Sequence, residues 1–227
     1  MQGVFICGED PDILCLHSSM SNSRQWQLLS QSLAGDRGVI AVDFYGYGDA
    51  LSVPDTEQYT LATEAQRIIA LLDELSIIQP ITVIGHSMGG AVALKLAYEH
   101  PQRFKELMLF EPVAFHLLPK DDAGREEIEV TAQSVIDEDD RTGAQTFVDY
   151  WNFPGFFNVL PESTQQRFVH EVAKVRLEFS ALIGEAYTLD DYQNITLPVK
   201  LIYGSSSRKS AHHVVEQLKN TLPNVDA

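Results

Sequence analysis

The run Ile81-Thr82-Val83-Ile84 passes directly into Gly85-His86-Ser87-Met88-Gly89, and that directly into a stretch rich in Ala and Leu that stops at Pro101. Four apolar or β-branched residues in a row predict a strand buried on both faces. The Ala/Leu stretch predicts a helix from Ser87 to His100. Between them, G-x-S-x-G has to turn a strand sharply into a helix. Its glycines belong where a Cβ would clash in the tight turn. Its serine is forced to the tip, at the N-terminus of the helix, where the helix dipole favours a developing negative charge. A chain built around such an elbow folds as a sheet whose strands deliver their carboxyl ends to a crevice.

The rest of the chain repeats the strand-then-helix rhythm. Short β-rich runs fall at 4–7, 13–16, 39–42, 107–110 and 199–203. Helical spacing covers 26–33, 60–75 and roughly 209–220, with Thr60 as the candidate N-cap of the second. The expected fold class is α/β, an open and mostly parallel sheet flanked by helices. At 227 residues this is one large domain, or one domain carrying an insertion. The rhythm breaks over 113–190, where helical patterns continue without strands and the net charge is −9. The expected division is therefore a core of 1–112 and 191–227 with a helical cap of 113–190. Trp151, Phe153, Phe156 and Phe157 cluster within the cap around Pro154 and Gly155. They serve either a lid over a pocket or the insertion's own small core, and the two readings are compatible.

Charge removes several function classes. Sixteen basic residues against 32 acidic ones leave −16. Such a chain repels phosphate backbones and anionic lipid, so neither nucleic acid nor a membrane surface is an expected partner. No apolar run approaches the roughly 20 residues of a membrane span. The two cysteines, Cys7 and Cys15, make no disulfide framework and, lying in apolar runs, are expected as buried thiols. No leader pattern opens the sequence, and the expected location is cytoplasmic. H-E-x-x-H, C-x-x-C, the phosphate-binding P-loop and G-x-G-x-x-G are all absent from the sequence, so no metal and no cofactor are expected.

Several motifs in order give the chain a family likeness. His17 follows strand 13–16, Trp26 lies nine residues on, Asp43-Phe44-Tyr45-Gly46-Tyr47-Gly48 follows strand 39–42, the elbow occupies Gly85 to Gly90, and Leu197-Pro198-Val199 leads to Gly204. In this the chain resembles the α/β-hydrolase family along nearly its whole length. The resemblance implies a nucleophilic Ser87, with an oxyanion hole made by the amides of Met88 and Ser19. Ser87 in place of an aspartate argues against dehalogenase or epoxide hydrolase chemistry. Ser18 stands where the family has glycine, which puts the shape of the oxyanion loop in question. The acid has no candidate in Gly204 to Lys209, so the resemblance passes to Glu111 at the end of strand 107–110, with Asp190 and Asp191 as poorer substitutes.

The family's histidine follows the last strand, where this sequence reads Leu222 to Ala227, and its usual first strand has no counterpart before Gln2-Gly3. The sequence thus reads as a member shortened at both ends. Of seven histidines, His17 and His86 belong to motifs, His100 ends a helix, His116 and His170 lie in the cap, and His212 and His213 begin the last helix. The activity implied is hydrolysis of a small, neutral, partly apolar carboxylic ester through an acyl-enzyme, slow if no histidine reaches Ser87. The alternatives are C–C bond hydrolysis or acyl transfer on the same scaffold, and a ligand-binding remnant without turnover. Strand 199–203 is expected as an exposed edge, which implies a homo-oligomer.

Overall fold

A computed structural model describes residues 2–33 and 35–227. Its strands are β1 (Val4–Cys7), β2 (Pro11–Leu16), β3 (Gly38–Val42), β4 (Ile81–His86), β5 (Phe104–Phe110), β6 (Val199–Ile202) and β7 (Val225–Asp226). Among the described residues they form one sheet in the order β1-β3-β2-β4-β5-β6-β7. Every pairing is parallel except that of β1 with β3. The α/β class with a mostly parallel sheet is therefore present. The elbow strand β4 is the middle strand, and β3 is buried along its whole length.

Helices α1 (Gln27–Leu33), α2 (Leu61–Glu74) and α3 (Met88–Glu99) connect the first strands. Thr60 opens α2 as expected, and its N–H donates to Thr63 Oγ1 at 3.2 Å. The period-2 alternation of the strands divides the core. Ile13, Cys15, Val39 and Ala41 face one side, against Trp26, Leu29 and Leu33 around α1. Leu14, Leu16, Ile40 and Val42 face the other, in the large cluster built with α2 and α3. Cys15 is buried as expected, but Cys7 is only partly so, because β1 is an edge strand.

Between β5 and β6 come α4 (Ala123–Asp137), α5 (Asp140–Trp151), α6 (Phe156–Val159), α7 (Glu162–Gly184) and α8 (Leu189–Tyr192). Their apolar faces continue the large cluster through Val135, Ala144, Val172 and Phe179. The aromatic group splits by position. Phe157 is fully buried within the insertion, and Phe153 is 55% exposed. Helix α9 (Lys209–Thr221) leads to β7.

One expectation needs correction. Strand 199–203 is not the outer edge, because Val225 and Asp226 pair in parallel with Val199 and Lys200. Asn224 O already accepts the Val199 N–H at 2.9 Å. The residues after α9 thus satisfy backbone groups that the pattern alone left open.

Candidate active site

Ser87 stands between β4 and α3 with φ 55° and ψ −116°, a conformation that costs a non-glycine residue energy and that the surroundings must enforce. Its N–H donates to Phe110 O at 2.9 Å, and its carbonyl accepts the Gly90 N–H at 2.9 Å. The flanking glycines are fixed by close backbone approach. A Cβ on Gly85 would lie 2.5 Å from Gly89 O, and one on Gly89 would collide with Leu16 O and His17 O. The elbow is packed against the end of β2, and the Gly89 N–H donates to His17 O at 3.1 Å.

The loop after β2 takes its shape from His17. The Phe44 N–H donates to His17 Nε2 at 2.9 Å, so the ring proton is on Nδ1, which donates to Ser18 O at 2.7 Å. Burial holds this imidazole neutral and lowers its pKa to about 4, against the Ser18 carbonyl and the Asp43 charge, which favour the cation. Glycine is not required at position 18. The left-handed residue of this loop is Met20, with φ 53°. Ser18 instead donates from its N–H and its hydroxyl to Gln25 Oε1, at 3.1 and 3.0 Å. Gln25 Nε2 then donates to His86 Nδ1 at 3.0 Å. Gln25 therefore links the loop after β2 to the elbow, a role that no sequence motif announces.

Ser87 and Ser19 line one narrow pocket of about 10 Å³, room for little more than a water molecule. Val113 and Phe115, just after β5, form one wall. Phe147 and Trp151 of α5, with Val175, Glu178, Phe179 and Leu182 of α7, form the other. Trp151 is thus the member of the aromatic group that meets the pocket. The Met88 side chain is buried, and its amide opens α3, where helix N–H groups have no intrahelical acceptor.

Glu111 follows β5 with φ 45°, and its N–H donates to Ile202 O at 2.9 Å. Its Oε1 accepts from the Gly204 N–H at 3.0 Å and from the Ser207 hydroxyl. Glu111 does not line the Ser87 pocket. Its charge favours the protonated form of His86, but burial outweighs it and lowers the His86 pKa.

None of the histidines lines the Ser87 pocket among the described residues. His213 Nδ1 pairs with Asp122 Oδ2 at 2.8 Å, at the start of α4. His212 stands edge-on to Tyr203, with ring centroids 5.4 Å apart. His116 Nδ1 meets Leu182 O at 3.2 Å, and burial lowers its pKa to about 4. Asp191 is spent on capping α8, where its Oδ2 accepts from the Thr188 N–H and hydroxyl at 2.8 Å each.

The titratable side chain that does reach the pocket is Glu178, which the sequence reading passed over. It belongs to a buried group with Lys174 and Glu64. Lys174 Nζ lies 2.8 Å from Glu64 Oε1 and 3.7 Å from Glu178 Oε1. The Tyr47 hydroxyl donates to Glu178 Oε2 at 3.0 Å. Burial raises the Glu178 pKa, opposed by the Lys174 charge. The available signal was Lys174 and Glu178 four apart on a helix face shared with Val175, Phe179 and Leu182. Among the described residues no cluster of metal-ligating side chains forms, and no helix is long and apolar enough to cross a membrane.

Comparison with known proteins gives the family and the fold. The family model described as "Alpha/beta hydrolase family" matches residues 13–226. A putative 2-succinyl-6-hydroxy-2,4-cyclohexadiene-1-carboxylate synthase of Bacillus subtilis is 28% identical over 161 residues, 70% of this chain and 55% of the relative. The 2-hydroxymuconate semialdehyde hydrolase of a Pseudomonas strain is 38% identical over 84 residues, 37% of this chain and 29% of the relative. The chain thus spans little more than half, or less, of the length of these curated relatives. Among solved structures, a hydrolase from Oleispira antarctica superposes with a TM-score of 0.78 at 18% identity, covering 98% of this chain and 84% of the other.

Proposed function

Because the chain belongs to the alpha/beta hydrolase family, we propose that it hydrolyses carboxylic esters through an acyl-enzyme on Ser87. The observation that carries this reading is the strained serine at the elbow, set beside Ser19 in a largely apolar pocket. In the proposed reaction Ser87 Oγ attacks the ester carbonyl and its proton passes to water, because no histidine lines the pocket among the described residues. The Met88 and Ser19 amides receive the negative charge that develops on the carbonyl oxygen. The alcohol leaves, and water then releases the acid from Ser87.

Glu111 is the proposed carboxylate of this machinery. Gly204 and Ser207 occupy its Oε1, which fixes the carboxylate plane near His86, whose protonated form its charge favours. The helices between β5 and β6 are the proposed cap. Their apolar wall and the chain's negative charge favour a small, neutral, partly apolar substrate. A second reading is C–C bond hydrolysis on the same serine, favoured by the activity that the Pseudomonas relative's name records.

The test is release of p-nitrophenol from a short-chain ester by the purified protein and by its Ser87→Ala variant. Turnover lost in the variant supports ester hydrolysis. Activity that survives Ser87→Ala removes this reading. Ser87 reactive to a fluorophosphonate but inert to esters turns the assignment to the C–C bond. A serine inert to both leaves a binding protein.

A further inference from the structure

Glu178 is 1% exposed, and its Oε1 has no partner in hydrogen-bond geometry. Lys174 Nζ stands 3.7 Å from that oxygen, and the Ser19 hydroxyl faces the same carboxyl. The Tyr47 hydroxyl donates to the other oxygen. Glu64, the second carboxylate of the group, is more fully engaged. Lys174 Nζ at 2.8 Å, the Tyr59 hydroxyl at 3.0 Å and the Tyr45 N–H at 3.2 Å all donate to it. Two buried carboxylates thus share one ammonium, which leaves one negative charge uncompensated. Such a charge is costly, and uptake of one proton cancels it. Glu178 receives that proton, because it has the oxygen without a donor.

The pocket that Glu178 shares with Ser87 and Ser19 measures about 10 Å³, and its other lining residues are apolar. A space of that size holds one water and no acyl group. The two serines are the polar neighbours of such a water, and Ser19 stands between it and the Glu178 carboxyl. The space suits the passage of a proton.

We propose that Glu178 is the terminal proton acceptor for Ser87, reached through a water in this pocket and the Ser19 hydroxyl. The proposal rests on Ser87 as the nucleophile of the ester hydrolysis proposed above. As Ser87 Oγ bonds to the carbonyl carbon, its O–H bond breaks and the proton passes to the water. The water gives a proton to Ser19 Oγ, and the Ser19 hydroxyl gives its own to Glu178 Oε1. Ser19 so uses two groups, its amide for the oxyanion and its hydroxyl for the proton. When the bond to the alcohol breaks, the proton returns along the same path to the alcohol oxygen. Glu178 is then ionised again for the water that releases the acid. Burial raises the Glu178 pKa above the ordinary 4.5, which makes it a better base, and the Glu64 charge adds to the rise. Lys174, Ser19 and Tyr47 oppose it. Burial also raises the Tyr47 and Tyr59 hydroxyls, so neither titrates alongside Glu178.

The test follows two rates from about pH 4.5 to 9: hydrolysis of p-nitrophenyl acetate, and phosphonylation of Ser87 by a fluorophosphonate. In the wild-type protein both should rise with pH and level off as Glu178 ionises. Glu178→Gln should lower each about 10²-fold or more and remove this acid limb. Ser19→Ala, which keeps the amide, should lower both rates to a similar degree. Glu64→Gln takes away a neighbouring negative charge and should move the limb about one unit toward lower pH, and Lys174→Met should move it the other way. A purely structural Glu178 would change the rates without moving the limb. Far-UV circular dichroism checks folding, and Glu64→Gln and Ser19→Ala carry the test if Glu178→Gln does not fold. Wild-type rates in a folded Glu178→Gln protein overturn the proposal, as does a limb that stays in place in Glu64→Gln. Phosphonylation that follows this pattern without ester hydrolysis refutes the ester reading and leaves Glu178 as the proton acceptor. A wild-type protein inert to both reagents removes both readings.

Discussion

Lys174 Nζ lies 2.8 Å from Glu64 Oε1, and both side chains are buried. The pair ties α7 of the insertion to α2 of the core across 110 positions of sequence. Glu64 also accepts from the Tyr59 hydroxyl at 3.0 Å and the Tyr45 N–H at 3.2 Å, and Lys174 lies 3.5 Å from the Tyr59 ring centroid. Breaking one side of such a pair leaves a buried charge without compensation, which typically costs about 3–5 kcal/mol. Lys174→Met is expected to lose that much in urea unfolding. Adding Glu64→Gln should recover part of the loss, because the orphaned carboxylate is removed. A single variant within about 1 kcal/mol of wild type would show that the pair does not hold the insertion to the core.

Ser87 is expected to be the serine modified by a fluorophosphonate probe. Its strained turn sets it at the mouth of α3 beside the Met88 amide, whereas Ser207 is engaged with Glu111. Peptide mass spectrometry locates the adduct. Modification at Ser205, Ser206 or Ser207 instead would remove Ser87 as nucleophile.

Glu111→Gln is expected to lower kcat/KM on an activated ester by about 10³–10⁴-fold, the loss that removing the carboxylate causes in a Ser-His-Asp triad. Ser207→Ala removes one of the bonds that fix this carboxylate and should cost less than Glu111→Gln. Far-UV circular dichroism checks that both variants fold. Wild-type kinetics in a folded Glu111→Gln protein would reduce Glu111 to a support for the loop after β6.

Stability should fall on acidification below about pH 6.5, in part through His17. Its folded pKa is lowered to about 4 by burial. Between these values the unfolded state binds a proton that the folded state refuses. The contribution is therefore fully present above the ordinary histidine pKa and is lost as pH falls toward 4. The slope for one such group is about 1.4 kcal/mol per pH unit. Urea unfolding from pH 7 to 4.5 should give a steeper acid loss in wild type than in His17→Gln, by about that amount. Parallel curves would mean that His17 titrates normally.

Gly89→Ala should disrupt the elbow, because its Cβ would meet the backbone oxygens of Leu16 and His17, which cannot yield as a side chain can. A loss of about 3 kcal/mol in unfolding free energy is expected. Retained wild-type stability would show that β2 can retreat from α3.

Strands β1 to β6 and the turn at Ser87 were legible in the sequence, whereas β7 was not, and β1 leaves Phe5 and Ile6 exposed. Each rests on local physics: β-branched runs, helical spacing, and glycines where a tight turn excludes a Cβ. Ile81 to Ile84 reads as a central strand from its own four residues, and the structure makes it one. Tertiary packing decided which polar groups share the pocket. Glu178 stands 131 positions from Tyr47, and Gln25 stands 61 from His86. No periodicity connects such pairs. They meet because α7 and the loops after β2 and β3 pack onto the same end of the sheet. The shape of the loop after β2 was settled in the same way, since the left-handed residue is Met20 and His17 holds the Ser18 carbonyl through a ring fixed by Phe44. A local pattern specifies which elements form. It cannot specify a hydrogen bond between residues that come together only when those elements dock.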